Sequence, residues 1–368
     1  MREGDIVKIG VIGLGIIGGS IVKAANKKGL AEYVVAYNRN PEVTEQALSE
    51  GTIHEAAYEI NDSFRDCDII FICVPVDIVP LCVQKLSAIV GSECVITDVG
   101  STKVNVVNAV REMPLACTFI GGHPMAGSES TGYNAARHTL FENAYYVLTP
   151  FSDTNKAHLN RLIDFITALG GLPVIVEPTV HDYVTAAISH VPHVLASAIV
   201  NMIKKLDGDD KLMHTLAAGG FKDLTRIASS SPVIWESICL ANSGNILKIL
   251  SEFEEVIRSF KEILRKKDSG ALTDFFGSAK EYRDSFSERK IGSLIKSYDI
   301  VVDVEDQPGV IASIAGELSS YGINIKNIGI INSREMEGGA LEICFYDRES
   351  QQSSYRILKS LGYSVKIK

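Results

Sequence analysis

The stretch Gly13-Leu-Gly15-Ile-Ile-Gly18 decides the fold of the first half of the chain. It follows Ile6–Ile12, an apolar run typical of a strand buried on both faces, and it opens a helical pattern at Gly18–Lys28. In such a unit the glycines serve a tight turn, close approach of a pyrophosphate, and close helix–strand packing. The free amides at the helix N-terminus then face the diphosphate. A dinucleotide-binding domain is therefore predicted, and a glycine-rich turn without a ligand is the alternative.

Short β-branched runs alternate with amphipathic segments as far as about residue 175. The predicted strands are Ile6–Ile12, Tyr33–Tyr37, Ile69–Val74, Cys94–Thr97, Tyr145–Leu148 and Pro173–Val176. Helical patterns fill most of the gaps between them. This alternation predicts an α/β fold with a doubly wound parallel sheet, a Rossmann-like domain over residues 1–176.

The rest of the chain contains two further patterns. Helical periodicity dominates from Thr179 to about Ser287, and several of these helices are apolar on more than one side. Such helices need cover from each other or from a second subunit, so we expect an all-α domain at 177–292 and a homodimer. Residues 297–368 follow the order β-α-β-β-α-β, which predicts a ferredoxin-like domain.

Composition excludes several classes of partner. The 368 residues carry a net charge of −9 without a basic block, which argues against nucleic acid. The most apolar stretch, Ile69–Val83, is interrupted by proline and aspartate and is too short to span a bilayer. Arg2–Asp5 leads directly into a strand pattern, not a signal peptide. Seven scattered cysteines without a Cys-x-x-Cys pair favour reduced thiols, so we expect a cytoplasmic protein.

The end of the second strand bears on the choice of dinucleotide. An acid about twenty positions after the glycines binds the ribose of NAD, whereas an arginine accepts the NADP phosphate. This chain has Asn38-Arg39 and no acid there. Asn38 can bond a ribose hydroxyl, and Arg39 can meet a phosphate, stack on adenine or be a solvated surface cation. The predicted cofactor contacts are Gly13, Gly15, Ile16, Ile17, Gly18, Asn38, Arg39, Val74 and Pro75.

Groups suited to catalysis lie on the segment Gly121–Gly132, which is so rich in glycine that we predict a loop beyond the strand ends. His123 is its candidate acid–base group, because histidine titrates near neutral pH. A lone histidine is more often structural, but this position favours catalysis. Ser128 and Glu129 follow it closely.

A second polar stretch, Asp98–Lys103, ends the preceding strand. Ser101 can point its hydroxyl into the same crevice. Thr102 is predicted to cap the helix that follows.

The helical region adds further candidates. His190 and His193 lie three apart on one predicted helix, but no matching ligand pattern accompanies them, so we predict a polar pair or core histidines and no metal. In Gly219–Ala228 a second pair of glycines precedes a helical pattern. The segment includes Arg226, which is suited to bidentate hydrogen bonding with a carboxylate. Trp235 is the only tryptophan, and core packing is its default interpretation.

Six of these motifs together resemble the prephenate dehydrogenase family, over about residues 6–290. They are Gly13–Ser20, Asp98–Lys103, Gly121–Gly132, Phe141–Ala144, His181–His193 and Gly219–Ala228. The resemblance implies oxidative decarboxylation of prephenate to 4-hydroxyphenylpyruvate, with hydride transfer to NAD(P), in tyrosine biosynthesis. Members that prefer NAD commonly carry an acid at the position of Asn38, yet NAD stays the expectation and NADP the alternative.

The resemblance also implies roles for single residues. His123 would accept a hydrogen bond from the ring hydroxyl, Ser101 would orient both groups, and Arg226 would hold a substrate carboxylate. The further implied substrate contacts are Ser128, Glu129, His190, His193 and Trp235. Two other functions remain open: an arogenate or dual-substrate cyclohexadienyl dehydrogenase, and a non-catalytic sensor of nucleotide and amino acid, which would be expected to lack His123 or Arg226.

The C-terminal pattern resembles an ACT domain, the small amino-acid-sensing module. The resemblance is carried by Asp306-Gln-Pro-Gly309 and Gly322-Ile-Asn324-Ile. It implies feedback control by tyrosine, with Gly309 and Asn324 as effector contacts.

Overall fold

A computed structural model of the protein describes residues 7–127, 130–288, 298–304, 307–331 and 339–367, and within these it leaves out the side chains of 287, 288, 330, 331, 339 and 340. The chain forms two compact units, Met1–Ser259 and Phe260–Lys368.

The first unit is built on an eight-stranded sheet. Its strands are β1 (Lys8–Ile12), β2 (Tyr33–Tyr37), β3 (Glu55–Ala57), β4 (Ile69–Ile72), β5 (Val95–Asp98), β6 (Thr118–Pro124), β7 (Tyr145–Thr149) and β8 (Leu172–Ile175). They lie in the order β3-β2-β1-β4-β5-β6-β7-β8, and the first six strands have the order of dinucleotide-binding folds. The Rossmann-like prediction is confirmed. Strands β3 and β6 were not predicted, and β7 runs antiparallel to β6 within the otherwise parallel sheet.

The prediction that His123 lies on a loop is wrong, because β6 continues through Gly121, Gly122 and His123 to its end. The two glycines do not break the strand. A Cβ at Gly122 would lie 2.5 Å from the Asp98 carbonyl oxygen, and one at Gly121 would lie 2.3 Å from the Thr149 hydroxyl. The β5 backbone thus excludes a side chain at Gly122, and the Thr149 side chain on β7 would have to move to admit one at Gly121.

Helices cover both faces of the sheet. They are α1 (Ile16–Lys27), α2 (Pro41–Ser49), α3 (Val79–Ser87), α4 (Val104–Arg111) and α5 (Lys156–Leu169). One apolar cluster joins the strands to α1 and α5, and a second joins them to α3 and α4. The central strands therefore bury apolar side chains on both faces, which explains their unbroken apolar sequences.

The helical part that follows begins with one continuous helix, Pro178–Leu206, which is long and apolar enough, by length and composition alone, to cross a membrane. It consists of α6 (Pro178–Thr185), a π-helical turn (Ala186–His190) and α7 (Val191–Leu206). The other helices are α8 (Leu212–Leu216), α9 (Gly219–Thr225), α10 (Pro232–Ala241), α11 (Ser243–Lys266) and α12 (Ser269–Glu288). The long helix buries His181 and Asp182, two polar side chains that bond within the protein and do not suit lipid.

The end of the chain forms a small antiparallel sheet with two helices. The elements are β9 (Tyr298–Val304), α13 (Val310–Ser320), β10 (Ile325–Ile331), β11 (Gly339–Phe345), α14 (Arg348–Ser360) and β12 (Ser364–Ile367). The strands lie in the order β10-β11-β9-β12 around a core that includes Ile300, Ile314 and Leu358. The ferredoxin-like prediction is confirmed.

Candidate functional site

The glycine loop between β1 and α1 is shaped for a diphosphate. Gly13 has φ +97°, and a Cβ there would lie 2.5 Å from the Cys73 carbonyl oxygen. A Cβ at Gly18 would lie 2.0 Å from the Gly13 carbonyl oxygen, so that residue sets the close packing of α1 on the loop. Gly15 faces open space and precedes α1 without a side-chain cap. The first amides of α1 are thus available to an anionic ligand.

A cavity of about 440 Å³ extends from this loop along the ends of β2 and β4. Its predicted cofactor residues are Gly13, Gly15, Asn38, Arg39, Val74 and Pro75. Asn38 has a further task that the sequence did not reveal. Its Oδ1 accepts a hydrogen bond from the Leu14 amide at 3.0 Å, and its Nδ2 donates to the Asn40 carbonyl at 3.0 Å. Asn38 therefore holds the glycine loop against the end of β2.

A second cavity, of about 390 Å³, lies between the glycine loop and the helical part of the same unit. Ile16 and Ile17 line this cavity and not the first one. Its walls bring together five of the predicted catalytic and substrate residues: Ser101, His123, His190, His193 and Trp235. Residues from β6, the long helix and α10 thus converge on one space.

The His123 ring is bonded to a histidine from the long helix. His123 Nδ1 and His181 Nε2 are 2.8 Å apart, and His181 Nδ1 lies 2.8 Å from Asp182 Oδ1. The same carboxylate accepts hydrogen bonds from the Lys103 amide at 2.7 Å and the Val104 amide at 2.9 Å. Asp182 therefore ties His181 to the N-terminus of α4.

Thr102 does not cap α4, contrary to the prediction. Its hydroxyl is buried and has no hydrogen-bond partner within the described part of the chain. The cap is Asp182, which is 79 residues from Lys103 in sequence. Local spacing could not have identified a partner at that distance.

A buried ion pair lies beneath His123. The Lys103 ammonium bonds the Asp98 carboxylate and also donates to the Gly122 carbonyl at 2.6 Å. Asp98 in turn accepts from the amides of Gly122 at 3.1 Å and Gly100 at 2.8 Å. Because these bonds join β5 to β6 directly before His123, they fix the backbone that carries the histidine.

Burial keeps the histidines of the cavity neutral. It lowers the pKa of His123 well below the usual value of 6.5, and the neighbouring cationic forms of His181, Lys103 and His190 lower it further. Burial also lowers the pKa of His190 to about 4. The pKa of His193 is lowered by burial too, with a partial offset from a hydrogen bond with the Ile227 backbone. His123 is therefore an uncharged acceptor at neutral pH.

Trp235 lines the wall of the second cavity that the helical part supplies, so it is not merely a core residue. Its ring stacks on His193 with centroids 3.8 Å apart and meets the edge of His190 at 6.0 Å. The Asn242 amide nitrogen donates to the Asp182 carbonyl at 2.7 Å and lies 3.1 Å from His190 Nδ1. Because an amide nitrogen only donates, His190 carries its proton on Nε2.

Family comparisons match all three parts of the chain. Residues 21–175 match the model "Prephenate dehydrogenase, nucleotide-binding domain", 177–278 match "Prephenate dehydrogenase, dimerization domain", and 298–347 match "ACT domain". The prephenate dehydrogenase of Bacillus subtilis (strain 168) is 37% identical over 353 residues, which cover 95% of this chain and 94% of that protein. This chain belongs to the prephenate dehydrogenase family.

Two solved structures of similar proteins share the fold. Prephenate dehydrogenase from Aquifex aeolicus, in complex with hydroxyphenyl propionate and NAD+, has a TM-score of 0.73 and 30% identity, and covers 77% of this chain and 100% of its own. Synechocystis arogenate dehydrogenase has a TM-score of 0.67 and 28% identity, and covers 76% of this chain and 100% of its own.

The cavity lining does not include Arg226, one of the three remaining substrate residues implied by the family resemblance. Ser128 and Glu129 lie outside the described residues. Arg226 is exposed in a short turn, Arg226–Ser229, and only its neighbour Ile227 lines the wall. Residues 7–127 and 130–288 contribute no lysine or arginine to the cavity walls. The role of Arg226 as a carboxylate anchor stays a prediction.

The sequence did not reveal several polar groups in and next to the second cavity. His181 and Asp182 were quoted only as part of a motif, and Ser189 and Asn242 were not singled out. The one available signal was a His-Asp pair inside an otherwise apolar helix. Burying such a pair costs free energy unless both side chains are hydrogen-bonded. Within the described ranges, no group of three or more histidine, cysteine or acidic side chains could hold a metal ion.

The two predicted effector residues lie in the ACT domain. Gly309 has φ +95° and directly precedes α13. Asn324 is exposed just before β10. Their contact with an effector stays a prediction.

Proposed function

We propose that the protein catalyses the NAD-dependent oxidative decarboxylation of prephenate to 4-hydroxyphenylpyruvate, in tyrosine biosynthesis. The observation that carries the proposal is the neutral, buried His123 in a cavity bounded on one side by Ile16 and Ile17 at the start of α1 and on the other by His193 and Trp235. Membership of the prephenate dehydrogenase family supports the same reaction.

The chain's own groups suit this chemistry. Aromatisation of the ring supplies most of the driving force, so the protein mainly positions and polarises the substrate. His123 accepts the hydrogen bond of the ring hydroxyl and takes its proton as the hydride and carbon dioxide leave. Ser101 orients the hydroxyl, and the Trp235 ring offers an apolar wall to the substrate ring. When bound, the nicotinamide supplies the hydride acceptor.

NAD is the proposed cofactor. The open space at Gly15 and the uncapped start of α1 fit a dinucleotide diphosphate. The relative from Aquifex aeolicus was solved with NAD+. Asn38 retains one amide hydrogen that can bond a ribose hydroxyl of NAD. Arg39 keeps NADP as the alternative, because an arginine can pair with its extra phosphate.

The test is turnover by the purified protein with prephenate and NAD. We expect formation of reduced nicotinamide, carbon dioxide and 4-hydroxyphenylpyruvate in equal amounts. His123→Ala should lower kcat by about 10²- to 10⁴-fold while NAD affinity stays nearly constant, because the histidine acts in the transition state. A wild-type protein without prephenate turnover would refute the proposal, and near-normal kcat in His123→Ala would refute the role of the histidine.

Arogenate dehydrogenase is the alternative within the same class. The similarity to the Synechocystis enzyme of that name favours it. Arogenate carries an amine where prephenate has a keto group, so initial rates with each substrate, each with NAD and NADP, separate the two. Comparable rates with both substrates would indicate a cyclohexadienyl dehydrogenase. Absence of turnover with either substrate would favour a non-catalytic sensor.

The helical domain is proposed to form a homodimer in the cytoplasm. Large apolar side chains are exposed along it, among them Ile188, Leu206, Leu240 and Leu247. A patch of this extent needs cover, which a second copy supplies. None of the seven cysteines, all within the described ranges, forms a disulfide bond, which fits a reducing compartment.

The ACT domain is proposed to bind tyrosine and inhibit the enzyme. Inhibition requires that tyrosine prefer one conformational state of the whole protein. Tyrosine inhibition should therefore disappear when the chain is truncated after Ile295, and it should weaken in Asn324→Ala. Unchanged inhibition of the truncated enzyme would refute regulation through this domain.

A further inference from the structure

His181 touches His123 but does not line the cavity. The role inferred for it rests on the proposed function of His123 as the proton acceptor. His181 is 2% exposed and is held on both sides of its ring, by His123 at Nε2 and by Asp182 at Nδ1. In its neutral form, a histidine with two fixed partners has a single hydrogen-bond arrangement.

The carboxylate of Asp182 fixes the direction of this arrangement. Asp182 Oδ1 already accepts from the Lys103 amide, and its Oδ2 accepts from the Val104 amide, so the group acts as an acceptor. The bond to His181 Nδ1 therefore requires a proton on that nitrogen. In the neutral ring, Nε2 then carries a lone pair and can only accept.

The acceptor at His181 Nε2 faces Nδ1 of His123 across 2.8 Å, so His123 Nδ1 must carry the proton of the neutral ring. That leaves the lone pair of His123 on Nε2, the nitrogen not used in the bond to His181. We propose that His181, held by Asp182, is a positioning residue that fixes His123 in the tautomer able to accept the substrate proton.

Loss of the acceptor at His181 Nε2 should lower kcat for two reasons. Without an acceptor at His181 Nε2, the His123 ring is free to place its proton on either nitrogen, and the wrong tautomer cannot act as a base. When His123 takes the substrate proton, His181 and the carboxylate behind it also stabilise the resulting imidazolium. Both effects belong to the transition state, so kcat should change more than KM.

Three substitutions separate this role from simple packing. His181→Gln retains an oxygen acceptor near the position of Nε2, His181→Asn retains a polar atom near Nδ1 only, and His181→Leu retains neither. We expect kcat to fall by about 10²-fold in the Asn and Leu variants, within the range for acid–base catalysis, with KM for prephenate nearly constant. In His181→Gln, kcat should be at least about tenfold higher than in the Asn and Leu variants.

His158→Leu is the matched control. His158 is also buried, at 4% exposed, and its Nδ1 lies 2.6 Å from the Thr118 hydroxyl on the same strand β6, but it does not line the cavity. It should lower thermal stability and leave kcat unchanged. Equal losses in all three His181 variants together with raised KM would indicate a structural role and overturn the proposal, as would unchanged kcat in all three.

A second measurement does not depend on turnover. Long-range ¹H–¹⁵N spectra of the full-length protein labelled at histidine distinguish the protonated from the bare ring nitrogen, with His123→Asn used for assignment. We expect His123 protonated at Nδ1 in the wild type, and loss of that single state in His181→Leu. A proton on Nε2 of His123 in the wild type would overturn the proposal, whereas failure of prephenate turnover with the Nδ1 tautomer present would refute only the assigned reaction.

Discussion

Removal of the Lys103 ammonium should destabilise the first unit strongly. Lys103 and Asp98 both have fully buried side chains, and their ion pair is extended by the bond from Lys103 to the Gly122 carbonyl. Lys103→Met keeps most of the side-chain volume but removes the charge. The Asp98 carboxylate is then left in the interior, and within the described ranges its remaining partners are the amides of Gly100 and Gly122.

The magnitude follows from this burial. Breaking a buried pair by removing one partner costs about 3–5 kcal/mol, because the remaining charge is uncompensated. For a domain of roughly this size, each 1 kcal/mol lowers Tm by about 2–4 °C, so the transition of the first unit should fall by roughly 10 °C. Asp98→Asn combined with Lys103→Met leaves no buried charge, and the double variant should be more stable than Lys103→Met alone.

Differential scanning calorimetry of the wild type, both single variants and the double variant measures these differences. Lys27→Met is the control, since Lys27 is exposed at the end of α1 and its replacement should change stability by less than about 0.5 kcal/mol. A double variant that lost as much stability as the two single variants added together would contradict a large cost for the unpaired buried charge. So would a Lys103→Met variant as stable as the control.

Three further outcomes are expected. Gly18→Ala should impair folding because its Cβ would meet a backbone oxygen at 2.0 Å, whereas Gly15→Ala should fold normally and bind the dinucleotide more weakly, as thermal unfolding and equilibrium binding will show. The acidic limb of kcat/KM should lie well below pH 6.5, because burial lowers the pKa of His123 and activity is lost only when falling pH protonates it; a limb near 6.5 would contradict this. Arg226→Ala should raise KM for prephenate more than it lowers kcat, and an unchanged KM in steady-state kinetics would reject the anchor role.

The features that could be predicted from sequence depend on contacts between near neighbours. Gly18 is required by the Gly13 carbonyl five residues before it, so both partners of this contact lie within the motif and the contact can be predicted from the motif alone. The ferredoxin-like order of the last seventy or so residues also follows from local patterns. By contrast, Gly121 and Gly122 are required by Thr149 and Asp98 on neighbouring strands, and no local pattern distinguishes such glycines from those of a loop.

The candidate site follows the same division. His123 and Ser101 could be proposed because each follows an apolar run shortly before the edge of the sheet where ligands bind. The polar network behind His123 could not, because Asp182 reaches α4 from 79 residues away and Asn242 reaches His190 from 52 residues away. These bonds exist only after the long helix has packed on the sheet.

The π-helical turn explains why periodicity could not place Asp182 and His190 on the same side of the long helix. Asp182 and His190 are eight residues apart, about 2.2 turns of a regular α-helix, and the π turn at Ala186–His190 offsets this by about one residue. Seven residues are close to two full turns, so the π turn brings both positions to nearly the same side. Asn242 then bonds the Asp182 carbonyl and the His190 ring together. The irregular turn therefore lets one helix supply both the support of His123 and the opposite wall of the cavity.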